Sequence, residues 1–234
     1  MGIKVIYQDD NIVVINKSAG LLMHGTRLPE NQKPDKPEAT VADWLVKNYP
    51  EVRSVGDDPS VRPGIVHRLD KETSGIVVAA RNQKTFDSLK SLFQNHEIKK
   101  IYAALVIGRV ESARGIIDKP IGIKAGTTKR SIHSEKMQKP AKTEYRVKRY
   151  ITVNDRAYTL LEVSPQTGRT HQIRVHLASI GHPIAGDKMY GGKRAALEGL
   201  NRQFLHAQTI EFVLEGERFR FEAELPEELK SLLA

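Results

Sequence analysis

The stretch PGIVHRLDKETSGIVVAARN, residues 63–82, decides the fold because it places a polar cluster between two apolar runs. Residues 64–66 are predicted to form a strand, and the near-continuous apolar run of residues 75–80 suits a central strand. The polar residues from His67 to Ser74 form a turn between them. A polar cluster between two buried strands is expected at the edge of a cleft.

The chain on either side of this stretch alternates strand and helix signals. Thr40 and Asp43 have the spacing of a capping box, so a short helix is predicted after Thr40, and Asn82 is a suitable N-cap for a second helix. Further helices are predicted over residues 169–179 and after Pro226. Strands are predicted over residues 4–7, 12–15, 100–107, 143–153, 157–163, 205–213 and 218–224. This pattern predicts an α+β fold with a mixed, largely antiparallel sheet, in a single domain spanning residues 1–234.

Composition excludes several classes of protein. The chain has 234 residues and no cysteine, so it has no disulfide framework, thiolate zinc site, iron–sulfur cluster or catalytic thiol. It has no apolar run of the roughly 18 residues that a membrane span needs, and its first ten residues, MGIKVIYQDD, lack the apolar run of a signal peptide. We therefore expect a soluble, cytoplasmic protein.

Positive charge is concentrated in one part of the chain. Between Lys119 and Arg149 there are ten basic residues and two acidic ones, which together account for +8 of the formal charge of +9. Such crowding predicts a polyanionic partner such as RNA, whose binding would weaken with salt as counterions are released. The alternative is a solvated basic surface. We interpret the stretch from Lys119 to Lys142 as a mobile arm between strands.

Common cofactor and metal motifs are missing from the sequence. There is no GxxxxGK[ST] loop, no GxGxxG after a strand and no HExxH pair. His171 and His176 are five residues apart and so do not share a helix face. We expect neither a metal nor a cofactor.

Two polar clusters remain as candidates for chemistry. In HRLDKETSG, the Asp70 carboxylate lies among cations that would keep it ionised, so it could act as a nucleophile or base. The alternative is that Asp70 only caps a turn. In QTGRTHQIRVH, residues 166–176, Arg174 is expected to project from a helix into a cleft, where it could pair with a carboxylate. Here the alternative is a solvated basic helix face.

Taken together and in this order, several segments resemble the RluA-type pseudouridine synthases. The segments are PGIVHRLDKETSG, GIVVAARN, KKIYAALV, TGRTHQIRVHLASIGHPIAGD and FLHA, preceded by VIYQDDNIVVINKSAGLLMH. The resemblance covers essentially the whole chain. It implies a pseudouridine synthase fold with a central catalytic cleft, and an enzyme that isomerises uridine in RNA to pseudouridine without cofactor or metal.

The same resemblance implies roles for individual residues. Asp70 of HRLD is similar to the essential aspartate, Tyr102 to the aromatic residue that stacks on the target base, and Arg174 to the arginine that pairs with the aspartate. Arg68 resembles the arginine that displaces the target nucleotide, and Leu205 the apolar residue that packs the pocket. The full set assigned to substrate binding is Arg68, His67, Arg169, His171, Gln172 and Leu205.

The expected partner is structured RNA, either large-subunit ribosomal RNA or transfer RNA, bound by a monomer. Because the first predicted strand begins close to the N-terminus, we expect a short member that lacks an N-terminal S4 domain. Target choice would then fall to the loop from Arg27 to Glu38 and to the basic stretch. The alternative function is a non-catalytic basic RNA-binding module, for which the charge alone would suffice.

Overall fold

The computed structural model describes residues 2–25, 38–124, 126–127 and 129–233. The chain divides into two compact units, and each is described by itself. The first unit comprises the residues up to Ile98 together with Glu211–Ala223, and the second comprises Lys99–Ile210 together with the residues from Glu224 onward.

The first unit is built on three antiparallel strands, β1 (Ile3–Gln8), β2 (Ile12–Lys17) and β3 (Ser74–Ala80). All residues of β3 are buried, as its continuous apolar sequence predicts. Helices α1 (Val41–Asn48) and α2 (Gln83–Gln94) belong to the same unit. So does β11 (Glu217–Glu222), which pairs with β10 (Leu205–Leu214), the strand on which the chain passes between units after Ile210.

Local signals account for the ends of both helices in this unit. The Thr40 hydroxyl accepts a hydrogen bond from the Asp43 amide, and the Asp43 carboxylate accepts one from the Thr40 amide, so the predicted capping box is present. The Asn82 side chain accepts from the Thr85 amide at the start of α2. Both predicted caps are therefore confirmed.

The second unit contains a longer antiparallel sheet in which β4 (Lys99–Ile107), β9 (Arg156–Pro165), β8 (Lys142–Val153) and β5 (Arg114–Asp118) follow in that order. A small hairpin, β6 (Gly122–Ile123) and β7 (Arg130–Ser131), lies in the chain between β5 and β8. Helices α3 (Gln172–Ser179) and α4 (Glu227–Lys230) complete the unit. Its core joins β4, β9 and α3 through side chains that include Leu105, Leu161 and Leu177.

The predicted α+β class with a largely antiparallel sheet is confirmed, but some element boundaries were wrong. Residues 64–66 are not a strand, since only Ile65 forms an isolated bridge, to Ala79. The helix predicted from residue 169 begins at Gln172, because His171 has the left-handed φ of 56°. The loop from Arg27 to Glu38 lies outside the described residues except for Glu38. No helix in the described part of the chain is long and apolar enough to cross a membrane.

Candidate active site

In the first unit, the polar turn before β3 begins at His67. The Nε2 atom of this half-buried ring accepts a hydrogen bond of 2.9 Å from the Val78 amide of β3, and the ring stacks on Phe93 with a centroid distance of 4.7 Å. An acceptor nitrogen carries no proton, so the ring proton lies on Nδ1. His67 therefore fixes the start of the turn to the strand that follows it. Its predicted contact with substrate stays a prediction.

Asp70 lies at the centre of the same turn. Its main-chain carbonyl accepts a hydrogen bond of 3.0 Å from the Thr73 amide, which closes the turn. Leu69 is buried, whereas Asp70 is half-buried and Arg68 is exposed. Hydrogen bonds before and after Asp70, at His67 and Thr73, thus fix the backbone that carries the carboxylate, and the residue is partly exposed to solvent.

A buried lysine that sequence reasoning missed supports this turn. Lys17 at the end of β2 is fully buried, and its ammonium group donates to three main-chain carbonyls, those of Ser18 and Leu21 at 2.9 Å and of Lys71 at 3.0 Å. The Lys71 carbonyl also accepts from the Gly20 amide at 2.9 Å. The residue after Asp70 is therefore tied to the segment after β2. The signal in the sequence is a lysine that ends a strand whose first four residues are apolar.

In the second unit, Tyr102 and Leu205 lie on strands of the sheet. Tyr102 on β4 is half-buried, lies opposite Val163 of β9 and packs against the core. Leu205 is buried at the start of β10, and the carbonyl before it, that of Phe204, accepts from the Leu105 amide of β4. Lys100 lies on the same face of β4 as Tyr102, and burial lowers the pKa of its ammonium group.

Gln172, the first residue of α3, is almost completely buried, with 4% of its surface exposed. Its amide nitrogen donates to the Lys142 carbonyl at 2.9 Å and to the Thr143 hydroxyl at 3.0 Å. Its amide oxygen accepts from the Thr167 hydroxyl at 2.6 Å and from the Arg169 amide at 3.0 Å. Two donors and two acceptor positions are all that a side-chain amide has, so protein groups engage each of them.

The residues on either side of Gln172 also bind within the unit. Arg169 donates from Nε to the Pro140 carbonyl at 3.0 Å. His171 lies 2.9 Å from the Tyr190 hydroxyl through Nδ1, and its left-handed backbone is a strained conformation of the kind that clusters at functional sites. These contacts fix the segment that leads into α3.

Arg174 is buried and forms a two-pronged ion pair with a residue that sequence reasoning missed, Asp187. Nε donates to one carboxylate oxygen at 2.7 Å and Nη2 to the other at 2.9 Å. Asp187 is 1% exposed, and paired parallel hydrogen bonds of this kind fix both charge and orientation. The signal in the sequence is GHPIAGD, whose last residue is this aspartate. The predicted pairing of Arg174 with Asp70 stays a prediction.

His176 of α3 is fully buried, and both of its ring nitrogens contact polar groups of the second unit. It lies 2.8 Å from the Thr143 hydroxyl through Nδ1 and 2.9 Å from the Lys119 carbonyl through Nε2. A carbonyl only accepts, so Nε2 carries the proton and Nδ1 accepts from Thr143. Burial lowers the pKa of His176, which favours the neutral ring, and it outweighs the opposing effect of the hydrogen bond to the Lys119 carbonyl.

The segment from Lys119 to Lys142, which we call the basic hairpin, contains β6 and β7 and is attached to the rest of the second unit at several points. His176 binds its first carbonyl and Gln172 its last, and an apolar cluster joins Ile121 and Ala141 to Val175 of α3. Our interpretation of a mobile arm was therefore wrong for the described residues. Its lysines at 124, 129, 136 and 139 are exposed.

No group of three or more His, Cys, Asp or Glu residues in the described ranges is arranged to hold a metal ion.

The site residues carried over from the resemblance lie in two sets, one in each unit. His67, Arg68 and Asp70 belong to the first unit. Tyr102, Arg169, His171, Gln172, Arg174 and Leu205 belong to the second.

Comparison with known proteins gives consistent matches over the chain. A family model described as RNA pseudouridylate synthase matches residues 11–179. The ribosomal large subunit pseudouridine synthase D of Yersinia pestis is 37% identical over 242 residues, which is 98% of this chain and 69% of that protein. An uncharacterized RNA pseudouridine synthase of Chloroflexus aurantiacus is 42% identical over 220 residues, which is 93% of this chain and 64% of that protein. The chain thus spans about two thirds of the length of these relatives.

A solved structure agrees with the sequence matches. The human RNA pseudouridylate synthase domain containing 4 protein superposes with a TM-score of 0.73 at 26% identity, over 98% of this chain and 91% of that one. The predicted pseudouridine synthase fold and the predicted resemblance are both confirmed. The chain belongs to the RNA pseudouridylate synthase family, whose members are isomerases that convert uridine in RNA to pseudouridine.

Proposed function

We propose that this protein forms pseudouridine in large-subunit ribosomal RNA, with Asp70 as the essential catalytic group. One observation carries the proposal: the family match over residues 11–179 includes Asp70, Tyr102 and Arg174. The Yersinia pestis relative is named for the large ribosomal subunit, which favours that RNA over transfer RNA. We further propose that residues 1–234 act as one catalytic domain, as a cytoplasmic monomer that needs no metal or cofactor.

The proposed reaction is an isomerisation that needs one ionised carboxylate. The bond between N1 of uracil and C1′ of ribose breaks, the uracil turns within the site, and C5 bonds to C1′ with loss of the C5 proton to N1 or solvent. The Asp70 carboxylate attacks the sugar, attacks the base or removes a sugar proton, and it must be ionised in each case. Arg174 would keep it ionised by pairing with it.

The target uridine must leave its stack to reach a carboxylate on a protein turn. Extruding a nucleotide requires a few kcal/mol, which protein contacts have to offset. The exposed side chain of Arg68, two residues before Asp70, is suited to occupy the vacated position. The half-buried ring of Tyr102 offers a stacking surface that tolerates any base.

The basic hairpin is the surface we assign to the RNA backbone. Replacing Lys129, Arg130 and Lys136 by Ser is expected to weaken RNA binding and to lower the slope of log affinity against log salt by about 2 to 3, because each lost phosphate contact removes about 0.7 to 0.9. The control replaces three basic residues outside the hairpin that pair with acids, Lys84, Arg109 and Lys230. An equal slope change in both triple variants would show that the hairpin makes no special contact with RNA.

Activity is tested on RNA from cells with and without the gene, by carbodiimide treatment and primer extension. We expect one reverse-transcription stop in large-subunit ribosomal RNA to disappear on deletion and to return with the wild-type gene. Asp70→Asn should fail to restore it. The matched control is Asp57→Asn, which changes an exposed carboxylate of the same unit that pairs with Lys90.

Three other outcomes of this experiment would each contradict one part of the proposed function. A stop restored by Asp70→Asn would exclude the proposed catalytic role of this residue. A stop lost from transfer RNA would replace the proposed target. RNA binding by the purified protein without any product would support the non-catalytic binding module instead.

A further inference from the structure

A single turn, Asp187 to Tyr190, follows α3 in the second unit and carries the carboxylate that holds Arg174. Besides the two hydrogen bonds from Arg174, the buried Asp187 carboxylate accepts from the amides of Met189 at 3.0 Å and Tyr190 at 3.2 Å. Four donors thus converge on one carboxylate. Removal of a partner from a buried pair of this kind is far more disruptive than loss of an exposed pair, so the position of the guanidinium depends on this turn.

The same turn binds the basic hairpin. The Tyr190 hydroxyl accepts a hydrogen bond of 3.1 Å from the Arg130 amide of β7 and lies 2.9 Å from Nδ1 of His171. The Lys129 ammonium donates to the Met189 carbonyl at 3.3 Å. The Tyr190 ring lies under Arg174, with 5.1 Å between the guanidinium carbon and the ring centroid. Arg174 and the hairpin therefore share one support.

We propose that Asp187 and Tyr190 are positioning residues for pseudouridine formation, with separate effects. Asp187 holds the Arg174 guanidinium in the orientation that the catalytic step requires, and the Tyr190 hydroxyl holds the basic hairpin in the position that receives the RNA backbone. The inference rests on the proposed function, because it takes Arg174 as catalytic and the hairpin as the RNA surface. Neither Asp187 nor Tyr190 takes part in the chemistry itself.

The two roles predict opposite kinetic signatures. Asp187→Asn removes the charge that orients Arg174, so kcat should fall by about 100-fold, the effect of a misplacement of about 1 Å, while the Kd for RNA stays within twofold. Tyr190→Phe keeps the ring under Arg174 but removes the hydroxyl. The Kd for RNA should rise about fivefold, the effect of losing the one hydrogen bond that joins the hydroxyl to the hairpin, with kcat little changed. A general loss of folding would lower the active fraction in both assays alike.

Matched variants control for disruption of structure. Tyr150→Phe likewise removes a tyrosine hydroxyl from a ring that lies beneath an arginine; this hydroxyl donates to the Val110 carbonyl. Glu224→Gln breaks the exposed pair with Lys230. Both should leave kcat and Kd unchanged. Thermal melts of every variant report the folded fraction, and kinetics are compared below the lowest melting temperature.

A double-mutant cycle tests whether Asp187 acts through Arg174. If it does, the double variant Asp187→Asn with Arg174→Lys should be no slower than Arg174→Lys alone. Effects that multiply would overturn the inference, as would kcat for Asp187→Asn within twofold of wild type. Failure of the proposed function has a different signature, because the wild-type protein would then yield no pseudouridine from any RNA.

Discussion

Replacing Gln172 with Glu distinguishes a residue that binds RNA from one that holds the fold. The change is nearly isosteric, but it replaces an NH₂ group by an oxygen. Two donated hydrogen bonds disappear, those to the Lys142 carbonyl at 2.9 Å and the Thr143 hydroxyl at 3.0 Å. In their place an acceptor faces the Lys142 carbonyl oxygen, which is repulsive.

The magnitude follows from these contacts. Each lost neutral hydrogen bond contributes about 1 kcal/mol, and placing a carboxyl group at a site that is 4% exposed adds at least about 1 kcal/mol more. We therefore expect the free energy of unfolding to fall by about 3 kcal/mol at pH 7. For a chain of this size, that corresponds to a decrease in Tm of roughly 6–12 °C.

The pH dependence sharpens this prediction. Burial would raise the pKa of the new carboxyl group, so it becomes a neutral donor as the pH is lowered through that raised value. The deficit relative to wild type should then shrink on acidification, because the folded state of the variant takes up a proton before its unfolded state does. The assay is thermal unfolding followed by circular dichroism at several pH values.

The control and the refuting result are both specific. Gln208→Glu makes the same change at an exposed position of β10 and should alter the free energy of unfolding by less than about 0.5 kcal/mol. If Gln172→Glu melted like wild type and lost affinity for RNA, the side chain would face the substrate. The sequence-based assignment of Gln172 to substrate binding would then be right, and our reasoning from the amide contacts would be wrong.

Three further changes test other parts of the structure. Burial lowers the pKa of His176 in the folded state, so as the pH is lowered below about 6.5 the unfolded state takes up a proton more readily than the folded state does. The free energy of unfolding should therefore fall by up to about 1.4 kcal/mol for each pH unit of acidification. His176→Gln should flatten that slope in thermal melts, and an unchanged slope would refute this. Lys17→Met removes the charged donor of three carbonyls and should lower the free energy of unfolding, measured in urea, by about 3 kcal/mol. The control Lys4→Met, at an exposed position, should lower it by less than about 0.5 kcal/mol. Equal losses would show that the buried contacts of Lys17 do not stabilise the fold. Gly64→Ala should lower Tm further than Gly20→Ala. Both positions have a positive φ, +67° and +83°, but a Cβ added at Gly64 would lie 2.4 Å from a carbonyl oxygen, whereas one at Gly20 would meet no atom within 4 Å. Similar melting temperatures would show that the close contact relaxes freely.

The parts of the fold that were predicted correctly depend on local physics. The apolar run of β3 is buried on both faces, so its sequence is continuous rather than alternating. The Thr40 and Asn82 caps bond to amides three residues away, which is within reach of a short sequence pattern. The turn that carries Asp70 was found for the same reason, since it lies directly between two apolar runs.

The parts that were missed depend on partners distant in the sequence. Helical periodicity predicted that Arg174 projects inward, but it could not choose Asp187 among the acidic residues of the chain. The strands β6 and β7 have two residues each, which is too short for any periodicity to register. Lys17 was overlooked because a lysine is almost never fully buried, and only the fold reveals the three carbonyls that bind it.

Helix α3 supports both the basic hairpin and Arg174, so we expect changes in α3 itself, unlike Asp187→Asn or Tyr190→Phe, to affect RNA affinity and the rate of the chemical step together. Its residues Gln172 and His176 hold the two ends of the basic hairpin, and between them Arg174 projects toward Asp187. An RNA that shifts the hairpin on binding would therefore act on the same helix that carries the guanidinium. If Arg174 acts as proposed, the catalytic step gains more from a rigid support for the substrate than from a freely moving charged arm. If Arg174 and the basic hairpin act as proposed, the attachment of the hairpin to α3 at both of its ends serves catalysis, whereas electrostatic attraction alone would need no such attachment.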